Sequence, residues 1–182
     1  MDLIIQNARI YQPESTWHGE KCDLLIRKGC LERIELHGKL ALDDPAYDIM
    51  DARGLTLAPS FVDSSFWLGE PGYERLEDFS SASNLAFGSG FGHLVVMPDL
   101  NPPIDHSSIV RFIAEKSELT GTDFHPVGKL TRHSGQTEYL TEMLDMSRAG
   151  AIAFSNGRHG LYNLSALERS MRYTSMCERL LM

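Results

Sequence analysis

The sequence predicts an α/β chain in which a small all-β unit precedes a parallel sheet crossed by helices. Three observations carry this. Residues 1–55 are broken into short runs rich in apolar and β-branched residues. From residue 56 to 182, strand-like and helix-like segments alternate four times, the signature of parallel strands joined by helical crossovers. The chain has 182 residues, 42% hydrophobic and 23% charged, an ordinary globular composition with room for a domain and a small subdomain.

The elements follow in order. "DLIIQNARIY" (2–11) is apolar and strand-forming, and "CDLLIRKGCLERIEL" (Cys22–Leu36) reads as two strands about a turn at Lys28-Gly29. A polar, Pro-containing stretch, "HGKLALDDPAYD", precedes another short strand and turn in "IMDARGLTLAP". "LTLAPSFVDSSF" is strand-like. "RLEDFSSASNLAFGSG" suits a helix ending at Gly88 or Gly90. "HLVVMP" is a short buried strand, and "DHSSIVRFIAEKSEL" begins with an Asp cap and spaces Ile109, Phe112, Ile113 and Lys116 as one helix face. "DFHPVGKL" is a third strand, "TEYLTEMLDMSRAG" a helix closed by Gly150, "AIAF" a fourth strand, and "SALERSMRYTSMCERLL" a last amphipathic helix. A closed (β/α)8 barrel needs eight strands and about 250 residues. An open four-stranded sheet leaves exposed edges.

Charge and cysteines narrow the function classes. A net charge of −8 argues against a nucleic-acid or anionic-membrane surface, which needs clustered Lys and Arg. No apolar run approaches the roughly 20 residues of a membrane span. "MDLIIQNARIYQPES" lacks a basic segment followed by a long apolar core, so no signal peptide is expected. Cys22, Cys30 and Cys177 form no CxxC pair and are odd in number, which fits reduced thiols and a cytoplasmic location.

Three stretches together resemble the dihydroorotases of the cyclic amidohydrolase superfamily: "DARGLTLAPSFVD", "EPGYERLEDFSSASNLAFGSGFGHLVVMPDLNPPID" and "LDMSRAGAIAFSNG". They cover nearly the whole chain in order. The resemblance implies the N-terminal portion of a TIM-type (β/α)8 barrel, about four βα units, beside an incomplete β-sandwich subdomain. It implies a zinc site at the C-terminal ends of the barrel strands. It also implies that strands five to eight, two further His ligands, the catalytic Asp and the C-terminal sandwich strands are missing from this chain.

At the implied site the residues depart from the family pattern. Strict alternation along "VDSSFWLGEPG" places Asp63, Ser65, Trp67 and Gly69 on one face, with Ser64, Phe66 and Leu68 toward the covering helices. The family has His-x-His on the inward face, where two imidazoles hold a metal that makes hydroxide from bound water. Those positions are Ser65, a poor ligand, and Trp67, whose indole has no lone pair to offer. The family's carboxylate-gripping Arg is Gly69, its substrate-contacting Asn is Asp99, and its bridging acidic ligand falls at Asn156 and Gly157. Asp63, Glu70, Pro71 and Gly72 remain, which fits a folding role for the loop.

Other candidates are weaker. Asp105-His106 opens a helix, where capping is the ordinary role. His93 sits at the N-terminal end of its strand, away from the catalytic face, and His125 reads as a packed strand residue. Lys129, Arg132 and His133 lie on the catalytic face, as a small anion pocket or a solvated loop. "GSGFG" (Gly88–Gly92) precedes a strand rather than a helix, the wrong context for a phosphate loop.

The expectation is therefore a dihydroorotase-like protein of pyrimidine biosynthesis that is catalytically inactive, holds no cofactor and acts structurally, for example by supporting aspartate carbamoyltransferase. The alternative is an active metal-dependent cyclic amidohydrolase, opening dihydroorotate to N-carbamoyl-aspartate with ligands from outside this chain. Open edges at the first and fourth strands predict a homo-oligomer or a completing polypeptide.

Overall fold

A computed structural model describes residues 2–40, 47–134, 137–161 and 163–182, with the backbone alone at positions 133, 134, 137 and 138. The chain divides into two compact units, Met1–Pro59 and Ser60–Met182. Much of the polar stretch predicted as a connection, at 41–46, lies outside the described residues.

The first unit is one sheet of five strands: β1 (Leu3–Ile10), β2 (Lys21–Arg27), β3 (Cys30–Leu36), β4 (Asp48–Asp51) and β5 (Thr56–Leu57). The order is β3-β2-β1-β4, with β5 also on β1. Strands β2 and β3 meet at Lys28-Gly29, both with positive φ (51° and 79°), the two-residue turn whose twist suits a hairpin. β1 carries an irregularity between Ile5 and Ala8, where Asn7 takes φ 60°. Asp23, 3% exposed, ties that irregularity down. Its carboxylate accepts from the Asn7 amide at 2.8 Å and the Gly38 amide at 2.8 Å, and meets His37 Nδ1 at 2.7 Å. Burial pushes this carboxyl upward, but the bonds from His37, Gly38 and Asn7 outweigh it and hold it below the usual range. One face of the sheet buries Ile5, Ile10, Cys22 and Leu24 with Trp17 and Leu57 against them.

The second unit is a curled parallel sheet ordered β12-β11-β8-β7-β6. Its elements are β6 (Phe61–Phe66), α1 (Phe79–Gly88), β7 (Phe91–Val96), α2 (Ser107–Ser117), β8 (Asp123–Lys129), the hairpin β9 (Thr131–Ser134) and β10 (Thr137–Leu140), α3 (Met143–Arg148), β11 (Ala153–Ser155), α4 (Leu164–Met176) and β12 (Leu180–Leu181). Spatial order follows sequence order, as expected when each crossover returns the chain to the next place in a winding half-barrel. Alternation sorts the side chains. Leu94, Val96, Phe124 and Phe154 join Phe79, Val110, Ile113 and Met146 in the core between sheet and helices. Val95, Met97, Val127 and Ala153 form a smaller cluster on the opposite, inward face. Each fully buried Val, Ile or Phe contributes about 1.5–3 kcal/mol.

Several expectations change. Helix α1 starts at Phe79, not near Arg75, because Asp78 and Ser81 close a reciprocal capping box, Asp78 Oδ1 accepting from the Ser81 amide at 2.7 Å. The cap of α2 is His106, whose Nδ1 accepts from the Ser108 amide, rather than Asp105. Asp105 instead offers its carbonyl to Arg132, at 2.8 Å. "TEYL" is strand β10, not the start of a helix. Thr and Tyr favour extended backbone, and β9 supplies a ladder partner. The last residues are not helix either. α4 ends at Met176, Glu178 takes φ 53°, and Leu180–Leu181 pairs with β11 as a fifth parallel strand. The edges of this sheet are therefore the first and fifth strands, β6 and β12. No helix among the described residues is long and apolar enough to cross a membrane.

Candidate functional site

The segments that follow β6, β7 and β11 line one cleft of about 620 Å³, with Trp67, Gly69, Tyr73, Glu77, Asp99 and Arg158 among its walls. Trp67 follows β6 and packs on the inward cluster of Val95, Met97, Val127 and Ala153. Phe66 and Leu68 point to the helix-side core, as alternation requires. Asp63 departs from that alternation. A register shift between Asp63 and Phe66 puts Asp63 abreast of Leu94, a helix-side residue, and its carboxylate accepts from the Ser65 amide at 2.9 Å. Ser65 is exposed.

The Arg158 guanidinium lies over the Trp67 ring, 4.0 Å from its centroid, in cation–π range. The Arg158 amide donates to Asp99 Oδ2 at 2.7 Å. Asp99 Oδ1 lies 3.7 Å from Lys129 Nζ, both side chains being under one-sixth exposed. Asp99 is thus neutralised inside the site, and its charge does not stand free to repel an anion. A side chain at Gly157 would collide with the Asp99 carboxylate, so the backbone there, at φ 62°, passes close because it is glycine. Asn156 is 5% exposed, and its Oδ1 accepts from the Thr131 amide and hydroxyl at 3.1 and 3.2 Å. Its Nδ2, like Asp99 Oδ1, has no hydrogen-bond partner among the described residues.

The retained loop has a visible use. Glu70, 16% exposed, accepts from the Phe79 amide at the start of α1 at 3.3 Å and meets Lys116 of α2 at 3.3 Å. The Tyr73 amide donates to the Gly69 carbonyl at 2.7 Å, turning the chain over Gly69. A Cβ at Gly69 would press on the Glu77 carbonyl and lie 2.6 Å from that of Tyr73. Gly72, at φ 102°, runs against the Asn101 backbone.

These residues do not fit a zinc ion. Ser65 is a weak donor, Trp67 has no lone pair, and the Asn156 oxygen is committed to Thr131. Asp99 is a single carboxylate beside a lysine cation. No chemical step through a metal follows from this end of the sheet.

The proposed anion pocket is only partly assembled. Lys129 is spent on Asp99, and Arg132 on the carbonyl and carboxylate of Asp105. The His133 side chain lies outside the described residues. The one cluster that sequence reasoning missed is at the other end of the sheet. His93, Asp123 and His125 have ligand atoms all within 4.8 Å of one another, the only such group among the described residues. Burial, and then the neighbouring His93, lower the pKa of His125, so it favours the neutral imidazole. The signal was available as Asp-x-His on a strand, two residues apart on one face.

No family model matches the chain. Curated relatives do. It is 30% identical over 176 residues to the dihydroorotase of Aquifex aeolicus (strain VF5), covering 96% of this chain and 40% of the relative. It is 33% identical over 174 residues to that of Pelobacter propionicus, covering 95% and 40%. The chain thus spans about two fifths of the curated relatives it matches. Among solved structures, the L-hydantoinase (dihydropyrimidinase) from Arthrobacter aurescens superposes with TM-score 0.80 at 18% identity, over 99% of this chain and 40% of that one. A dihydroorotase crystal structure gives TM-score 0.62 at 12% identity, over 100% and 50%. These likenesses establish the fold of the second unit as an α/β half-barrel of parallel strands.

Proposed function

We propose, from the premise that this chain is a dihydroorotase-like member of the cyclic amidohydrolases, that it keeps the fold of that family without its chemistry. It then serves pyrimidine biosynthesis as a structural partner, for example of aspartate carbamoyltransferase. The observation that carries this reading is Trp67. Its ring stands where the resemblance puts a ligand imidazole, packed on Val95, Met97 and Val127 and covered by Arg158 at 4.0 Å. An aromatic seated in that way fills the volume a metal and its hydroxide would occupy, and offers neither a lone pair nor a base. The Asp99–Lys129 pair and the Thr131–Asn156 bonds support it, since each commits a polar group to its neighbour rather than to a substrate.

The test is direct. Dihydroorotate hydrolysis and the reverse cyclisation of N-carbamoyl-aspartate are followed with and without added zinc, and no turnover above the uncatalysed rate is expected. Zinc-dependent turnover that a chelator abolishes would overturn this reading in favour of an active amidohydrolase completed by outside ligands. Co-elution with aspartate carbamoyltransferase in size-exclusion chromatography tests the structural half.

A further inference from the structure

The parallel sheet builds at its N-terminal end the ligand geometry that its C-terminal end lacks. Asp123 and His125 are i and i+2 on β8, so their side chains leave the same face. β7 lies alongside, with His93 in register with Asp123. The three side chains are therefore fixed by two hydrogen-bonded strands rather than by a loop. His93 Nδ1 is 3.1 Å from His125 Nε2 and 3.3 Å from Asp123 Oδ2. The two rings are tilted by 30° at 5.3 Å between centroids.

That spacing suits a shared cation better than a shared proton. His93 Nδ1 carries at most one hydrogen, so it serves Asp123 or His125 well, but not both. Metal–nitrogen bonds of about 2.0–2.1 Å in a tetrahedral site set neighbouring ligand atoms about 3.3 Å apart. Both distances from His93 Nδ1 are close to that value, before any ligand moves. The set is also chemically consistent: two imidazoles and one carboxylate are donors of the kind zinc and its neighbours in the first transition row take. His93 is 40% and Asp123 66% exposed in side chain, so an ion has a route in and open positions for water.

We infer that His93, Asp123 and His125 form a binding site for a divalent transition-metal ion of the zinc type, which clamps β7 to β8 at the N-terminal end of the sheet. The ion is structural. It lies at the opposite end of the strands from the Trp67 cleft and has no part in the chemistry denied there. The inference does not depend on the reading given under Proposed function. Turnover of dihydroorotate would sink that reading and leave this one standing.

Equilibrium dialysis of the full chain against zinc, with metal content measured per chain, should find one bound ion. His93→Gln and His125→Gln should each weaken binding by more than about 100-fold, the upper range for losing only an outer partner of a ligand. Asp123→Asn should weaken it less, and Ser65→Ala should leave it unchanged. Far-UV circular dichroism checks that the variants fold. The unmodified protein gives a second readout: the ring-proton resonances of His93 and His125 should shift together on titration with zinc. Failure of the unmodified chain to take up zinc at micromolar levels would overturn the site. So would uptake that survives both Gln substitutions, or a titration that leaves both ring signals in place.

Discussion

Glu70 decides whether the retained loop after β6 is there for folding. Substituting Glu70→Ala removes a carboxylate that holds the first amide of α1 at 3.3 Å and Lys116 of α2 at 3.3 Å, from a position only 16% exposed. The Lys116 arm is 42% exposed, so solvent screens it to about 0.5 kcal/mol. The bond to Phe79 is charge-assisted and sits at a helix N-terminus, worth about 1 kcal/mol. The sum is about 1.5 kcal/mol. Glu70→Gln keeps an acceptor and loses the charge, so it should cost about half as much. Urea unfolding in a Trp17→Phe background, followed by Trp67 fluorescence, reads the second unit alone. Pairing Glu70→Ala with Lys116→Met in a double-mutant cycle separates the two arms. A Glu70→Ala effect below about 0.5 kcal/mol, the range of an ordinary surface change, would refute the argument and leave the loop without a folding role.

Asp23→Ala should destabilise the first unit by about 3 kcal/mol, chiefly by orphaning the buried Asn7 amide, in urea titrations at neutral pH. The pH dependence has a definite sign. Because the folded carboxyl titrates below its unfolded value, its contribution is complete above about pH 4 and is lost as pH falls through the folded pKa. The gap between wild type and Asp23→Ala should stay constant from neutral pH down and then narrow in acid. A gap that widens in acid would contradict this. Gly69→Ala and Gly69→Arg should cost similar amounts, about 2–3 kcal/mol, since the collision with the Tyr73 and Glu77 carbonyls is made by Cβ alone. A much milder Ala variant would show that the loop gives way. Trp67→Ala should cost about 2 kcal/mol, a half-buried aromatic plus its Arg158 contact, measured by urea unfolding followed by circular dichroism.

What the sequence determined by itself was the alternation of elements and the chemistry of the side chains. The turn at Lys28-Gly29, the apolar run of β7 and the periodic face of α2 are local signals, and they mark the elements where they occur. The identities of Trp67 and Gly69 already say that these positions offer no metal ligand and no guanidinium, because those properties belong to the side chain and not to its surroundings. Tertiary structure decided the rest. "TEYL" became a strand only because β9 lies beside it, and Leu180–Leu181 only because β11 has a free edge. Asp63 left the inward face through a register shift, which no period-two count contains. Asp99 found Lys129, and Glu70 found Lys116, across 30 and 46 residues of chain respectively. His93 met His125 from 32 residues away. Side-chain chemistry is local and can be read one residue at a time, whereas a site is a set of distances, and distances between remote residues exist only once the sheet has fixed its order and register.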